Sequence, residues 1–363
     1  MKKRETKKIK KRKLKKSVKR TLFLMCMFFV AASGLYFAYQ YNSGVSLAND
    51  EATNEIQTGL SDNSTIYDQN SQFNPFEGAD AQFGEINVLL IGNDARGDED
   101  GARSDVLMIG HYDQDTKKVK LASLMRDTYV EVPDYGMQKI NAAYSLGGPE
   151  LVRQTIKQNF DVDVQYYAIV NFEGFSKIVD VIAPDGIEVN IPYEMSHGIG
   201  MTLEAGEQSL NGDQLLGYVR FRHDIHSDFG RVERQQEALS KLKDQAMSVN
   251  TLLNLPKLMG VIEPYIETNI DSKTLFTIGK GLLAGGKSNE VESLRIPVEG
   301  SFTNERVNVG AVLAIDAYTN REALKDFLST DAQKEEEKEV TKEKIDSTET
   351  DEVIYYSGSG NKE

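Results

Sequence analysis

The sequence has few of the residues on which many enzyme sites depend. Its 363 residues include one cysteine, Cys26, and four histidines. One cysteine excludes an internal disulfide and a zinc–thiolate site. His223 and His226 lie three residues apart, but His111 and His197 are distant in sequence, so a zinc site is not expected. No Gly-x-Ser-x-Gly turn and, after the N-terminal segment, no lysine-rich stripe with interleaved aromatics occurs, which argues against a serine hydrolase and a nucleic-acid-binding domain.

Charge is distributed very unevenly along the chain. The formal net charge is −14, yet residues 1–20 contain about thirteen Lys or Arg and one acid, Glu5. Residues 21–41 follow without a charged side chain, and a stretch of roughly 20 such residues is long enough to span a bilayer. Because positively charged flanks stay in the cytoplasm, we predict one transmembrane signal anchor with the rest of the chain outside. Aromatic residues suited to the outer interface follow: Tyr36, Phe37, Tyr39 and Tyr41.

A cleaved signal peptide is the alternative interpretation of this segment. Ala31, Ala32 and Ser33 offer small residues at which cleavage would occur. The apolar run, however, is longer than the core of about 7–15 residues that signal peptides have. We therefore expect a retained anchor and a protein of the cell membrane, with its N-terminus in the cytoplasm.

Composition divides the rest of the chain into three parts. Residues 42–84 are polar and lack apolar periodicity, which indicates a flexible stalk. Residues 330–363 are acidic and low in complexity, which predicts a disordered tail. Residues 85–329 lie between them and are long enough for a large globular domain.

Strand-like and helix-like segments alternate within this domain. Short runs rich in Val, Ile and Leu predict strands at Ile86–Ile91, Val106–Tyr112, Lys118–Leu124, Val164–Val170, Ile187–Ile191 and Ser293–Pro297. Apolar residues at helical spacing predict helices at Pro149–Asn159, Phe172–Val181, Asn211–Val219, Gly230–Met247, Leu252–Ile266, Ser272–Leu283 and Val309–Leu328. This alternation predicts an α/β sandwich with a mixed sheet.

Aspartates and arginines follow or precede the first three predicted strands. The first strand leads into Gly92-Asn-Asp-Ala-Arg96, the second begins after Arg103-Ser-Asp105, and the third ends in Arg126-Asp127. In open α/β sheets ligands bind at strand ends, so Asp94 and Asp105 are candidate ligands of a hard cation. Mg²⁺ suits this set best, with Mn²⁺ as an alternative, because it needs only one or two carboxylates when phosphates and water complete its shell. The simpler alternative is that the aspartates only cap turns.

A second concentration of arginine lies in YVRFRHDIHSDFGRVERQQ, residues 218–236. Arg220 and Arg222 point to one side if they lie on extended chain, and residues 231, 234 and 235 share a face if they lie on a helix. Guanidinium groups match phosphate oxygens, so convergence of the two sets would create a phosphate or pyrophosphate site. The alternative is a solvated helix on which arginines pair with Glu233 and Glu237.

One familiar nucleotide motif occurs but in the wrong context. Residues 281–288 satisfy the Gly-x-x-x-x-Gly-Lys-Ser pattern, with the lysine at 287. A true phosphate-binding loop follows a buried strand and opens a helix. Here the pattern follows a predicted helix and precedes a predicted strand, so the glycines are better explained as a helix stop. We do not expect nucleotide binding.

Four ordered segments together resemble the LytR–CpsA–Psr family of cell-envelope glycopolymer transferases. They are NVLLIGNDARGDEDGARSDVLMIG, SLMRDTYVEVPDYGMQKINAAYSLGGPELV, NFEGFSKIVDVI and LNGDQLLGYVRFRHDIHSDFGRVERQQEAL. The resemblance covers roughly residues 84–239 and implies an αβα sandwich with a central mixed sheet after one transmembrane helix. Leu124-Met125 stand where many members have Ile-Pro, and this resembles a methicillin-resistance-associated regulator subgroup more than the teichoic-acid transferases.

The resemblance implies a phosphotransferase of the Gram-positive cell membrane. Members are thought to transfer an anionic glycopolymer, such as wall teichoic acid or capsule, from undecaprenyl pyrophosphate to peptidoglycan, forming a phosphodiester. By motif, the catalytic residues fall on Arg103, Arg126, Asp127, Arg220 and Arg222. Metal ligands fall on Asp94 and Asp105, and substrate-binding residues on Arg96, Arg231 and Gln235. Nucleic acid is not an expected partner.

The residues leave two questions open. The general base that takes the acceptor proton can be Asp127, Asp224 or Asp228. The same arginines also suit a non-catalytic receptor or regulator that binds polyprenyl phosphate, although simple binding does not require Asp94 and Asp105. A DNA-binding regulator, a further alternative, requires a cytoplasmic body, which the anchor's charge asymmetry argues against.

Overall fold

The computed structural model describes residues 36, 38–46, 73–80, 84–93, 104–223, 228–246, 257, 259–285 and 291–330. Within these ranges, no helix is long and apolar enough to cross a membrane. The predicted anchor at 21–41 lies almost entirely outside them, as do the basic segment and the acidic tail.

Twelve strands and six helices are labelled here in chain order. The strands before the first helix are β1 (Glu85–Asn93), β2 (Ser104–Asp113), β3 (Val119–Leu124), β4 (Thr128–Val132) and β5 (Gly136–Lys139). The middle elements are α1 (Ala142–Phe160), β6 (Tyr166–Asn171), α2 (Phe172–Ile182), β7 (Ile187–Ile191), β8 (Gly206–Leu210), α3 (Gly212–Arg220) and α4 (Asp228–Ala246). The last elements are β9 (Ile266–Thr268), α5 (Ser272–Gly285), β10 (Glu292–Ile296), β11 (Phe302–Val307), β12 (Gly310–Ile315) and α6 (Ala317–Leu328).

A six-stranded mixed sheet forms the centre of the domain, in the order β10-β3-β2-β1-β6-β9. Strand β2 pairs antiparallel with both β1 and β3, and β9 pairs antiparallel with β6, whereas β6 pairs parallel with β1 and β10 pairs parallel with β3. A four-stranded sheet, β11-β12-β4-β5, and a hairpin of β7 and β8 complete the strands. The predicted α/β class with a mixed sheet is confirmed.

Successive side chains of β1 point to opposite faces of the central sheet, and the two faces pack against different helices. Leu89 and Ile91 point into a core that contains Val152 and Ile156 of α1 and Leu324 of α6. Residues on the opposite face lie beneath α2, α3 and α4, which pack with the β7–β8 hairpin in a second core. Helices therefore cover both faces, as in an αβα sandwich.

Close packing of α2 against α3 depends on one glycine. A Cβ atom at Gly212 would lie 2.0 Å from the carbonyl oxygen of Ser176. Asn211 caps α3 through its side chain, which accepts from Gln214 N at 3.0 Å. These contacts fix the direction in which α3 delivers Arg220 and the chain after it.

The main secondary-structure error lies near the C-terminus of the domain. The sequence predicts one helix from Val309 to Leu328, but Gly310–Ile315 form strand β12 and the helix starts only at Ala317. Asp316 separates the two because its carboxylate accepts from Thr319 N at 2.7 Å and caps the helix. The helix predicted up to Ile266 likewise ends earlier, since Ile266 opens β9. Strands β4, β5, β8 and β11 were not predicted.

Part of the predicted stalk packs on the domain. Ala79 N donates to the carbonyl of Val164 at 3.0 Å, and Glu77 N donates to the buried carboxylate of Glu150 at 2.8 Å. Phe76 packs against the core, with its ring 4.9 Å from that of Tyr167. Residues 73–80 are therefore a structural part of the domain.

Candidate active site

Strand directions bring the charged segments to one edge of the central sheet. The end of β1 pairs with the start of β2, as Asn93 lies opposite Ser104, and with the end of β6 at Asn171. Because β3 runs antiparallel to β2, its last residues also lie at this edge. Asp105 and the residues that follow β3 therefore meet there, as the sequence predicts.

Asp105 is the centre of the resulting ion cluster. Its Oδ1 accepts from Arg222 Nη2 at 2.9 Å and from Arg126 Nη1 at 3.2 Å, and Arg231 Nη1 lies 4.0 Å away. Burial by itself would raise the pKa of this carboxyl, but the charges of Arg222, Arg231 and Arg126 outweigh it and hold the pKa below its usual value. Asp105 is consequently an ionised carboxylate at neutral pH.

Asp228 holds the same three arginines from a second side. Its carboxylate lies 3.3 Å from Arg231 Nη2, 3.5 Å from Arg126 Nη2 and 3.9 Å from Arg222 Nε. Asp228 is the first residue of α4, where a negative charge also interacts favourably with the helix dipole. Two aspartates thus keep three guanidinium groups together.

Arg231 is the most deeply buried of these cations. Its side chain is 3% exposed, and burial lowers its pKa to about 10, so it remains charged at neutral pH. Within the described part of the chain, its Nε and Nη1 atoms have no hydrogen-bond partner. Buried donors of this kind normally have a partner, and leaving one unpaired costs about 1–3 kcal/mol. The geometry suits an anion that would accept from them.

An apolar cavity of about 470 Å³ opens beside this cluster. Arg220, Arg222, Arg231, Gln235 and Asp105 line its charged end. Its apolar wall comes from the central sheet and from α2, α3 and α4, and includes Leu90, Met108, Val170, Ile178, Leu216 and Leu242. A charged end next to an apolar interior is the arrangement that an amphiphile with an anionic head group requires.

Arg220 and Gln235 reach the cavity from different elements. Arg220 is the last residue of α3 rather than part of an extended chain, and its guanidinium lies 4.3 Å from the centre of the Phe172 ring. Gln235 lies on α4, where its amide approaches the carbonyl of Val219 at 3.5 Å. The predicted convergence of the two arginine sets is therefore present, with the first set starting from a helix end.

Arg234 does not belong to the anion site. Its Nε donates to the carbonyl of Tyr218 at 3.1 Å, and its Nη2 donates to that of Phe221. The residue is 7% exposed. Arg234 therefore ties α4 to the end of α3 and supports the segment that presents Arg222.

Several predicted site residues lie outside the described ranges, namely Asp94, Arg96, Arg103 and Asp224. Asp127 is described, and it lies 3.5 Å from Arg126 Nε and 2.8 Å from Lys139 Nζ. Sequence reasoning missed Lys139 because the short strand β5 was not predicted. It also missed that His197 and His223 meet at the cavity with ring centres 4.0 Å apart. Because the two histidines are far apart in the sequence, no local pattern predicts their contact.

The charged end of the cavity offers limited ligands for a cation. Among the described residues, no group of three or more His, Cys, Asp or Glu side chains is placed to hold a metal ion. The arginine contacts of Asp105 described above all reach Oδ1. Oδ2 of an ionised carboxylate can therefore bind a cation that takes its other ligands from phosphate and water.

Comparison with known proteins agrees with this architecture. The sequence model of the LytR_cpsA_psr family matches residues 44–326. Regulatory protein MsrR of Staphylococcus aureus (strain COL) is 39% identical over 299 residues, which cover 82% of this chain and 86% of MsrR. Polyisoprenyl-teichoic acid–peptidoglycan teichoic acid transferase TagU of Oceanobacillus iheyensis is 31% identical over 226 residues, 60% of this chain and 69% of TagU.

The crystal structure of B. subtilis TagV superposes with a TM-score of 0.59 at 25% identity, covering 68% of this chain and 98% of TagV. The predicted resemblance thus holds over the whole described domain and not only over the four quoted segments. The chain belongs to the LytR–CpsA–Psr family.

Proposed function

We propose that this protein transfers an anionic glycopolymer, such as wall teichoic acid or capsule, from a polyprenyl-pyrophosphate carrier to peptidoglycan. The observation that supports this best is the arginine cluster around the buried Arg231 at the charged end of an apolar cavity. The name of the relative TagU states that it transfers teichoic acid to peptidoglycan from a polyisoprenyl carrier. A pyrophosphate with a prenyl chain on one side has the charge and the apolar length that the two parts of the site complement.

The cavity would take the first part of the prenyl chain. Its volume of about 470 Å³ falls within the range of about 300–1,000 Å³ that ligand sites usually have. Burial of the chain in this space contributes about 25 cal/mol per Å² of apolar surface removed from water. The lipid would therefore fix the pyrophosphate next to the arginines.

The arginines would bind both phosphates and stabilise charge as the reaction proceeds. The acceptor hydroxyl attacks the phosphorus that bears the polymer, a phosphodiester bond forms, and the bond to the lipid phosphate breaks. Lipid monophosphate leaves with the electron pair of that bond and with additional negative charge. Arg222 and Arg231, which line the cavity, would offset this charge, and Arg126, which contacts Asp105, would hold the transferred phosphoryl group.

A divalent cation, Mg²⁺ or Mn²⁺, would complete the charge balance of the site. Asp105 would hold it together with Asp94, which is the next residue in the sequence after β1. When bound, the cation supplies Lewis-acid stabilisation of phosphoryl oxygens. The lowered pKa of Asp105 keeps this ligand ionised at neutral pH.

The proposed location is the outer face of the cell membrane. The basic segment 1–20 and the uncharged segment 21–41 support an anchor with a cytoplasmic N-terminus. Both the lipid carrier and peptidoglycan are then accessible to residues 85–329.

Reconstituted transfer tests the proposed function. Purified full-length protein is mixed with a labelled lipid-pyrophosphate-linked saccharide and a soluble peptidoglycan oligomer. We expect labelled oligomer and an equal amount of polyprenyl monophosphate, both measured by mass spectrometry. Tight lipid binding without either product would contradict the transferase proposal and favour a receptor.

A further inference from the structure

Four charged residues of the ion cluster lie away from the cavity. Asp105, Arg222 and Arg231 line the cavity, but Arg126, Asp127, Asp228 and Lys139 do not. Arg126 joins Asp127 to the cavity side, since it contacts Asp105 at 3.2 Å and Asp127 at 3.5 Å, whereas Asp228 contacts the cavity-lining Arg231 directly. The site therefore has a cavity side and a far side that meet at Arg126.

The geometry of phosphoryl transfer indicates which substrate binds on each side of the site. The attacking and leaving oxygens of a phosphoryl transfer lie roughly opposite each other across the phosphorus. If the lipid occupies the cavity, as the proposed function requires, the leaving lipid phosphate is on the cavity side. The acceptor hydroxyl must then approach from the far side.

Asp127 is the carboxylate best placed on the far side. Asp228 has both oxygens within 3.3–3.9 Å of the three anion-binding arginines. Asp127 Oδ1 instead faces Lys139 Nζ at 2.8 Å, and both side chains are about one-quarter exposed. Solvent and a saccharide can therefore reach this pair without displacing the lipid.

The backbone around this pair is held by the second sheet. The carbonyl of Asp127 accepts from Leu313 N at 2.9 Å, and Lys139 pairs with Tyr129 in the β4–β5 ladder. Gly310 lies beside Lys139, because a Cβ atom at position 310 would be 3.9 Å from Lys139 Nζ. The strands thus position the pair and leave room beside it.

From these contacts we propose that Asp127 and Lys139 form the acceptor subsite for a saccharide hydroxyl. Asp127 takes the hydroxyl proton as the oxygen bonds to phosphorus and the bond to lipid phosphate breaks. Lys139 is a positioning residue that orients the Asp127 carboxylate. This assignment rests on the proposed function and names the base and the side of attack within it.

The test separates lipid binding from acceptor use in the full-length protein. Wild type, Asp127→Asn, Lys139→Gln and Lys139→Arg are compared for binding of a lipid-pyrophosphate-linked saccharide and for transfer at varied peptidoglycan-oligomer concentration. Lys157→Gln is the matched control, because Lys157 also pairs with aspartates, Asp161 and Asp163, at 2.9 Å but does not line the cavity.

We expect Asp127→Asn to lower kcat on the order of 10²–10⁴-fold while lipid binding stays within about threefold. Lys139→Gln should raise the KM for the oligomer and lower kcat roughly tenfold, Lys139→Arg should restore most of the activity, and Lys157→Gln should behave as wild type. Thermal melting checks that each variant folds. If Asp127→Asn does not fold, Lys139→Gln tests the acceptor subsite in its place.

Two outcomes would overturn the subsite, and they differ from failure of the proposed function. If Asp127→Asn transfers at a rate within threefold of wild type, Asp127 is not the general base. Equal loss of lipid binding and transfer in both variants shows that the pair belongs to the lipid site. Absence of transfer by the wild type would instead overturn the proposed function, and the subsite with it.

Discussion

Arg222 donates a 2.9 Å hydrogen bond from Nη2 to Oδ1 of Asp105, although 117 residues separate the two in the sequence. The contact joins the start of β2 to the segment between α3 and α4. Each segment alone is a short charged stretch that either turn capping or a solvated helix would explain. Their contact creates an ion cluster whose charge and burial suit a pyrophosphate.

Arg231 and Arg234 should respond oppositely to substitution by methionine. Arg231 is a buried charge with two unpaired nitrogens, and its partners Asp105 and Asp228 would keep their contacts with other arginines. Arg231→Met should therefore lower the free energy of unfolding by less than about 1 kcal/mol, or raise it. It should also weaken binding of a polyprenyl pyrophosphate roughly ten- to a hundred-fold, because a charge-assisted contact is lost. Arg234→Met leaves two buried carbonyls without their donor and should cost about 2–3 kcal/mol.

Urea unfolding and calorimetric titration on the same preparations measure this pair of effects. Each variant is the control for the other, since the two residues lie three apart on α4. Strong destabilisation by Arg231→Met with unchanged binding would show that Arg231 is only a structural residue.

A large side chain at position 168, in place of Ala168, should restrict tight binding to lipids with shorter prenyl chains. Ala168 lies on β6 and lines the cavity, so Ala168→Phe fills space that a prenyl chain would occupy. We expect binding of long prenyl pyrophosphates to fall at least tenfold, while a short-chain analogue binds as before. Ala168→Ser keeps the cavity and is the control. Equal affinity of Ala168→Phe for long and short chains would contradict a lipid role for this cavity.

His111 should make the domain sensitive to mild acid without contributing to the site. It is 1% exposed and its Nδ1 lies 2.8 Å from Asn87 Oδ1. Burial, aided by the charge of Lys120, lowers its pKa from 6.5 to about 4. The unfolded chain therefore binds a proton between these two pH values that the folded chain does not, and stability falls as pH decreases through this range, by about 3 kcal/mol at most.

Urea unfolding of wild type and His111→Gln at pH 7.5, 5.5 and 4.5 isolates this contribution. The difference in pH dependence between the two proteins should appear below pH 6.5 and grow towards pH 4. Parallel pH profiles would show that the pKa of His111 is the same in the folded and the unfolded protein.

Membrane orientation can be tested independently of chemistry. Moving about thirteen positive charges across the bilayer is unfavourable, so alkaline phosphatase fused after Glu363 should be active in cells. A cytoplasmic reporter fused at the same point is the control and should be inactive. The opposite pattern would place the domain in the cytoplasm and remove its access to peptidoglycan.

The central strands and the charged residues at their ends could be predicted because both are local patterns. Runs of Val, Ile and Leu identified β1 to β3, and the arginine spacing identified α4 as one wall of an anion site. The second sheet could not be predicted in this way. Strand β4 has only five residues, β5 and β11 are largely exposed or half-buried, and β12 is the apolar run before Asp316, whose spacing resembles that of a helix. Lys139 was missed for the same reason.

Spacing alone also could not separate residues that share a helix face. Residues 231 and 234 are one turn apart, yet one reaches Asp105 and Asp228 whereas the other reaches the backbone at Tyr218 and Phe221. The difference depends on where α3 ends relative to α4. Only the packing of α3 against α4, in which the Tyr218 hydroxyl donates to the Glu237 carboxylate at 2.8 Å, decides it.

The proposed transfer with a cation at Asp105 can be tested with two variants, Asp105→Ala and Arg222→Ala. Each is compared with wild type in magnesium and in EDTA. Transfer of a labelled lipid-linked glycan to a peptidoglycan oligomer is measured beside a binding titration with the same lipid. We expect EDTA and Asp105→Ala to abolish transfer but to leave binding measurable, because several arginines remain, whereas Arg222→Ala should weaken both roughly ten- to a hundred-fold. Transfer that persists in EDTA and in Asp105→Ala would contradict the role assigned to Asp105.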